Sequence, residues 1–256
     1  MIDQRAVIHP DAKLADDVSV GPFSIIGAGV EIGAGTTVAS HVVIDGPTKI
    51  GRNNTIHSHS ALGTDPQDKK FGEEKSFLVI GDNNTIREFC TFNRGTEDGG
   101  GYTRIGNDNW IMAYVHIAHD CIVGDGSIFA NAASLAGHVE VGHQVVLGGF
   151  TLVHQFCRIG DHSFTSMGSI INRDVPPYVT VAGKMAEPRG INSEGLRRRG
   201  FDSDRITAVK RAYKTIYKSG LKLSEALVEL EKVAETDADI APMAAFIKES
   251  KRSIVR

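Results

Sequence analysis

Ile105-Gly-Asn-Asp-Asn-Trp, Ile111-Met-Ala-Tyr-Val-His, Ile117-Ala-His-Asp-Cys-Ile, Val123-Gly-Asp-Gly-Ser-Ile, Phe129-Ala-Asn-Ala-Ala-Ser, Leu135-Ala-Gly-His-Val-Glu, Val141-Gly-His-Gln-Val-Val and Leu147-Gly-Gly-Phe-Thr-Leu follow one another without a break. Each hexad opens on a large apolar residue. The same step of six runs from Ile2 through Ile8, Leu14, Val20, Ile26, Ile32, Val38, Ile44, Ile50 and Ile56 to Leu62. It resumes at Ile80, Ile86 and Phe92, and continues past Leu147 to Val153 and Ile159. Thr165 breaks the series and Ile171 restores it. Six is neither the helical period of 3.6 nor the plain alternation of a free strand. It suits short strands joined by tight turns, each sending one aliphatic inward. Three such strands close an 18-residue triangular coil. Coils must stack, because one alone cannot bury its apolar face. Residues 2 to about 180 should give roughly ten coils, a parallel β-helix about 50 Å long at the spacing of neighbouring strands.

Two stretches interrupt the series. Between Leu62 and Ile80 the chain is polar over Gly63–Phe77, and between Phe92 and Ile105 it passes through Asn93-Arg-Gly-Thr-Glu-Asp-Gly-Gly-Gly101. Loops at 63–79 and 93–104 leaving so regular a scaffold point to function. The repeat stops near Pro176-Pro177, so the prism is assigned to residues 1–188 and an α-helical segment to 189–256. Asp202 or Ser203 should cap a helix running to Lys218, with Gly220 as its stop. Ser224 should cap a second helix, and a third should span Ala241 to Lys251.

Composition narrows the functional classes. The 256 residues are 41% hydrophobic and 23% charged, enough apolar material for a folded core. No apolar run is long enough to span a bilayer, and the first ten residues lack the basic start and apolar stretch of a signal peptide. A cytoplasmic protein without an integral membrane segment is the expectation. A net charge of −3 argues against bulk nucleic-acid binding. The charge is uneven: residues 184–256 carry sixteen Lys and Arg against eleven Asp and Glu, so the basic tail offers a dock for an acidic partner. Cys90, Cys121 and Cys157 each fall four residues after an aliphatic anchor, a phase filled by small residues elsewhere. They read as core packing, not as nucleophiles or a disulfide framework.

Eighteen residues per coil turns sequence into proximity. His119, Gly137 and Gln155 form one column, His138 and His154 flank it, and Asp120 follows His119. A neutral imidazole can take a proton from a hydroxyl near pH 7. Asp120 can hold its tautomer, and the Gly137 amide one coil on can stabilise an oxyanion. This set fits direct acyl transfer to an alcohol without a covalent enzyme intermediate and without metal or cofactor.

At His116-Ile-Ala-His-Asp120, Leu135-Ala-Gly-His138, Val153-His-Gln-Phe156 and Gly190-Ile-Asn-Ser-Glu-Gly-Leu-Arg-Arg-Arg-Gly-Phe201 the chain closely resembles the UDP-N-acetylglucosamine O-acyltransferase family of lipid A biosynthesis, a branch of the hexapeptide-repeat acyltransferases. The resemblance spans essentially the whole chain. It implies a left-handed β-helix, against the usual right-handed crossover. It implies transfer of an (R)-3-hydroxyacyl group from acyl carrier protein to the 3-hydroxyl of UDP-N-acetylglucosamine by a homotrimer with sites between subunits. Carried over by motif, His119 is the general base, Asp120 its orienting partner and Gly137 the oxyanion donor. Gln67, Asp68 and Lys70 resemble the family's substrate loop. His116, His138 and Gln155 resemble sugar and acyl contacts, with His154 beside them. Asn192, Glu194, Arg198 and Arg199 resemble the nucleotide-binding segment, and the acidic carrier protein becomes the partner for the basic tail.

The chain departs from the family at two places. Asn93 stands where the family carries a histidine. Met167 stands where the family limits acyl length, with Gly in long-chain members, so a shorter acyl chain is expected. Other hexapeptide sugar acyltransferases and γ-class carbonic anhydrases share the repeat. For the latter, His138 and His143 have a zinc-ligand spacing but fall in different columns. A non-enzymatic scaffold would need no histidine cluster.

Overall fold

The computed structural model describes residues 1–72 and 74–256; residue 73, within the loop expected at 63–79, lies outside them. The chain winds as a left-handed parallel β-helix whose three faces are three sheets. The first sheet starts at Val7–Ile8 and ends at Ile170–Ile171, the second runs from Lys13–Leu14 to Arg158–Ile159, and the third begins at Ser19–Val20. Most strands are two residues long, one outward and one inward. The inward members form columns in register: Ile44 beside Leu62, then Phe92, Ile117, Leu135, Val153 and Ile171. These anchors are buried, and Phe92 and Phe129 are the largest fully buried side chains among the described residues. Thr165 is buried too, and its hydroxyl pairs with Thr151 Oγ1 at 2.7 Å, so the break in the apolar series is a satisfied polar contact.

Among the described residues the first sheet holds nine strands, not ten. The two loops consume residues without adding to the prism, which accounts for the missing coil. Both leave at the same edge. Ala61–Thr64 and Thr91–Asn93 belong to the first sheet, Phe77–Ile80 and Tyr102–Ile105 to the second. Both insertions therefore overhang the edge between those sheets. At that edge three successive coils turn through a residue with positive φ: Asp120 at 60°, His138 at 60° and Phe156 at 63°.

Past the prolines the third sheet gains Val179–Ala182, then Glu187–Ile191 antiparallel to it, a strand crossing the 188/189 division. Helix α1 (Ser193–Arg198) follows. Its first turn is closed by the Asn192 side chain, which accepts from the Gly195 N–H. Its six residues, with Gly195 among them, are too few for a periodic signal, so this helix was not expected. Helix α2 (Ser203–Tyr217) is capped by Asp202 as expected. Helix α3 (Leu223–Ala234) has Lys222 as its N-cap, two residues before the expected Ser224, because the Glu225 carboxylate accepts the Lys222 N–H at 2.8 Å. Helix α4 (Ala241–Glu249) ends two residues short of Lys251. The C-terminal residues return to the prism, where Asp174 accepts from the Ser250 hydroxyl at 2.6 Å.

Candidate active site

The prism edge between the first and second sheets gathers the titratable cluster. His119 Nδ1 lies 2.7 Å from Asp120 Oδ2. Side-chain exposure is 15% for His119 and 1% for Asp120, so the carboxylate is sealed while the ring keeps one accessible side. An ionised carboxylate acceptor requires the proton on Nδ1, which leaves the Nε2 lone pair free. The hydrogen bond to Asp120 raises the His119 pKa above its ordinary value, against the opposing effect of burial. Burial pushes the Asp120 carboxyl up, yet the bonds it accepts from His119 and from Thr96 outweigh that and hold it below its usual range. Burial depresses His138 and His116, so they stay neutral near pH 7. His138 Nε2 stands 3.7 Å from Asp120 Oδ2, its ring edge-on to His119 and stacked on Phe156 at 4.4 Å.

Gly137 lies one coil above His119. A Cβ there would sit 2.6 Å from the ring Cε1 and 2.7 Å from Nε2. The ring thus occupies the space a side chain would need, and only Gly leaves it free. Phe156 N–H donates to the Gly137 carbonyl. Among the described residues the Gly137 N–H has no acceptor.

A groove of about 820 Å³ opens over this edge, lined by Gln67, Asp68, Lys70, Thr96, His119, His138, Gln155 and Phe156. The first loop supplies its roof, and Asp68 Oδ1 fixes its turn by accepting the Lys70 N–H at 2.9 Å. Of the residues expected here, two stand apart. His154 is exposed, its Nδ1 3.2 Å from the Gln155 carbonyl, and does not line the groove. His116 faces outward from the first sheet, its Nδ1 2.8 Å from Thr91 Oγ1. Asn93 is 1% exposed and donates to Thr64 Oγ1 and the Asp65 carbonyl, so in place of a ring it holds the base of the first loop.

The residues expected to bind nucleotide lie on a different edge. Asn192, Arg198 and Arg199 line a smaller pocket, about 210 Å³, with Gln144 and His162, where the second and third sheets meet. Asn192 also donates to the His162 carbonyl, and Glu194 pairs with Arg197 and Arg198 along its own helix. Met167, 77% exposed, stands on the third edge. One prism therefore presents the dyad, the residues expected to bind nucleotide and the residue expected to limit acyl length on three separate edges.

His119, Asp120 and His138 offer donor atoms within 4.8 Å of one another. His143 does not join them; it sits at the second-to-third edge and accepts the Asp125 N–H at 3.0 Å. The three cysteines are buried in the prism, with burial pushing the thiols of Cys90 and Cys121 up to about 12 and Cys157 to about 11, which suits packing and not nucleophilic attack. Among the described residues no helix is long and apolar enough to cross a membrane.

Sequence reasoning missed Thr96 and Gly99, which reach Asp120 from the second loop, and Phe156, which supports His138. Phe156 was within reach of the 18-residue arithmetic from His138. The loop residues carry no register and gave no signal.

The profile described as "Udp N-acetylglucosamine O-acyltransferase; Domain 2" matches residues 174–255, and the bacterial transferase hexapeptide profile matches residues 11–46 and 102–137. The acyl-[acyl-carrier-protein]–UDP-N-acetylglucosamine O-acyltransferase of Stenotrophomonas maltophilia strain K279a is 56% identical over all of this chain and 97% of its own. The UDP-N-acetylglucosamine acyltransferase of Francisella novicida superimposes with a TM-score of 0.99 at 42% identity, covering 100% of this chain and 94% of that one. The Moraxella catarrhalis UDP-N-acetylglucosamine O-acyltransferase gives 0.98 at 45% identity, covering 100% and 99%. With a groove built around a carboxylate-bound histidine and relatives of this identity along its full length, the chain belongs to the UDP-N-acetylglucosamine O-acyltransferase family.

Proposed function

We propose that the protein transfers an (R)-3-hydroxyacyl chain from acyl carrier protein to the 3-hydroxyl of UDP-N-acetylglucosamine, the first step of lipid A biosynthesis, in the cytoplasm where both substrates are soluble. The observation that carries the mechanism is the His119–Asp120 pair in the wall of the groove, with Nδ1 committed to Asp120 and the Nε2 lone pair left for substrate. Nε2 takes the proton of the sugar hydroxyl as its oxygen attacks the thioester carbonyl carbon. The carbonyl electron pair moves onto oxygen, where the Gly137 N–H meets it. The intermediate collapses, the C–S bond breaks, and the thiolate recovers the proton from the imidazolium. Asp120 offsets the imidazolium charge and holds the ring.

A single prism cannot bring its three edges to one substrate, so the site is completed by a second copy in a homotrimer. The exposed apolar surface supports this. Val7, Ile25, Leu152 and Ile170 project from the first sheet, and Phe23, Phe89, Tyr114 and Phe150 from its junction with the third. Closed symmetry covers such a face once per subunit. Arg198 and Arg199 of one copy then clamp the diphosphate in a fork geometry suited to phosphate, while Met167 closes the acyl end. The test is mass-spectrometric turnover with UDP-N-acetylglucosamine and 3-hydroxyacyl carrier proteins of graded length. An acylated sugar nucleotide with a short-chain optimum supports the reading; no product with any donor overturns it.

A further inference from the structure

We propose that Thr96, on the second inserted loop, is a positioning residue that fixes the Asp120 carboxylate and through it the His119 ring. The proposal rests on the general-base reading above and adds the element that holds the dyad in place. Thr96 donates twice to Asp120. Its backbone N–H reaches Oδ1 at 2.7 Å and its hydroxyl reaches Oδ2 at 2.7 Å. Oδ2 is the same oxygen that accepts from His119 Nδ1. Both carboxylate oxygens are therefore tied, and the one shared with the imidazole is fixed from a second direction. The Asp120 N–H donates to the buried Thr103 hydroxyl at 2.8 Å, anchoring the residue from behind.

The loop is shaped for this contact. A Cβ on Gly99 would lie 2.0 to 2.4 Å from the Asp120 carboxyl atoms, so the loop tip closes directly over the carboxylate. The Gly99 N–H in turn donates to Thr96 Oγ1 at 3.1 Å, which leaves the Thr96 hydroxyl proton for Asp120. The same loop is tied to the substrate loop. Arg94 bonds the Gly63 carbonyl and pairs with Asp65, and the Glu97 N–H donates to Glu74 at 2.7 Å. The seven extra residues between Phe92 and Ile105 thus link the groove's roof to the carboxylate beneath the base.

A carboxylate that loses a donor concentrates charge on the oxygen facing the imidazole. Thr96→Val removes the hydroxyl bond and keeps the backbone bond and the side-chain volume. The expected result is a fall in kcat of about tenfold or more, the scale of one hydrogen bond to a buried charge, with little change in KM for the sugar nucleotide. The His119 titration, read by NMR on histidine-labelled protein, should move to higher pH, and Thr96→Ser should restore both readouts. An unchanged His119 titration in Thr96→Val overturns the proposal, whatever the activity. So does Thr96→Ser behaving like Thr96→Val. The NMR arm separates this idea from the reading it rests on. Should His119→Ala keep full turnover, the general-base assignment fails while the titration still reports whether Thr96 governs the pair.

Discussion

Gly137→Ala isolates the geometry on which the chemistry depends. The new methyl would start 2.6 Å from His119 Cε1 and 2.7 Å from Nε2, about 1 Å inside ordinary carbon contact. Something must move, and the methyl cannot, since it is fixed to the prism backbone. The ring must swing away by about that distance, stretching the 2.7 Å bond to Asp120, which Thr96 and the Thr103 hydroxyl hold still. A displacement of about 1 Å at a reacting group costs on the order of a hundredfold in rate. The expected outcome is a loss of about two decades in kcat with a melting temperature close to wild type, because the methyl enters a groove and not the core. Steady-state turnover with thermal unfolding on the same preparation measures both. Epistasis supplies the internal check. In a His119→Ala background no ring remains to displace, so the added Gly137→Ala should cost little more. A single variant within about threefold of wild type, or a full hundredfold further loss in the double variant, would refute the displacement argument.

The remaining expectations can be tested separately. His119, as the proposed general base, must be neutral, and its hydrogen bond to Asp120 raises its pKa above the ordinary histidine value. The acid limb of kcat/KM should therefore fall above pH 6.5, and Asp120→Asn, which removes the largest raising influence, should move it lower while also reducing the plateau; a limb that stays in place would sink the dyad assignment. Met167→Gly should extend the preferred acyl chain, read in a panel of donors, and an unaltered preference would remove Met167 from the acyl end. KM for the carrier protein should rise with ionic strength if the basic residues between Arg197 and Lys222 recruit it, whereas a flat dependence would show that charge does not steer docking.

The sequence made the scaffold legible because one inward aliphatic per hexad leaves little freedom. Once three strands make a coil, addition of eighteen finds spatial neighbours, and it correctly set Gly137 over His119. The same arithmetic fixes a position on the prism but not the direction of a side chain. His154 belongs to the right coil and yet is not among the residues that line the groove. It also stops at an insertion, where the residue count loses step with the coil. Thr96 and Gly99 were invisible for that reason, although their bonds hold the dyad together. Asn93 shows a further limit: resemblance marked a missing ring, and only packing revealed that the amide there fastens a loop. The short helix α1 depends on one side-chain cap and carries too few residues for any period to register.

The most direct test of the account is subunit complementation between His119→Ala and Arg199→Ala. Each variant alone should be nearly inactive, one lacking the base and the other the phosphate contact. If the dyad of one copy works with the nucleotide segment of another, trimers re-formed from an equal mixture should regain about a quarter of wild-type activity, the share of interfaces carrying both intact halves. Mixtures that remain as inactive as either parent after verified subunit exchange would place the whole site within one chain and contradict the account.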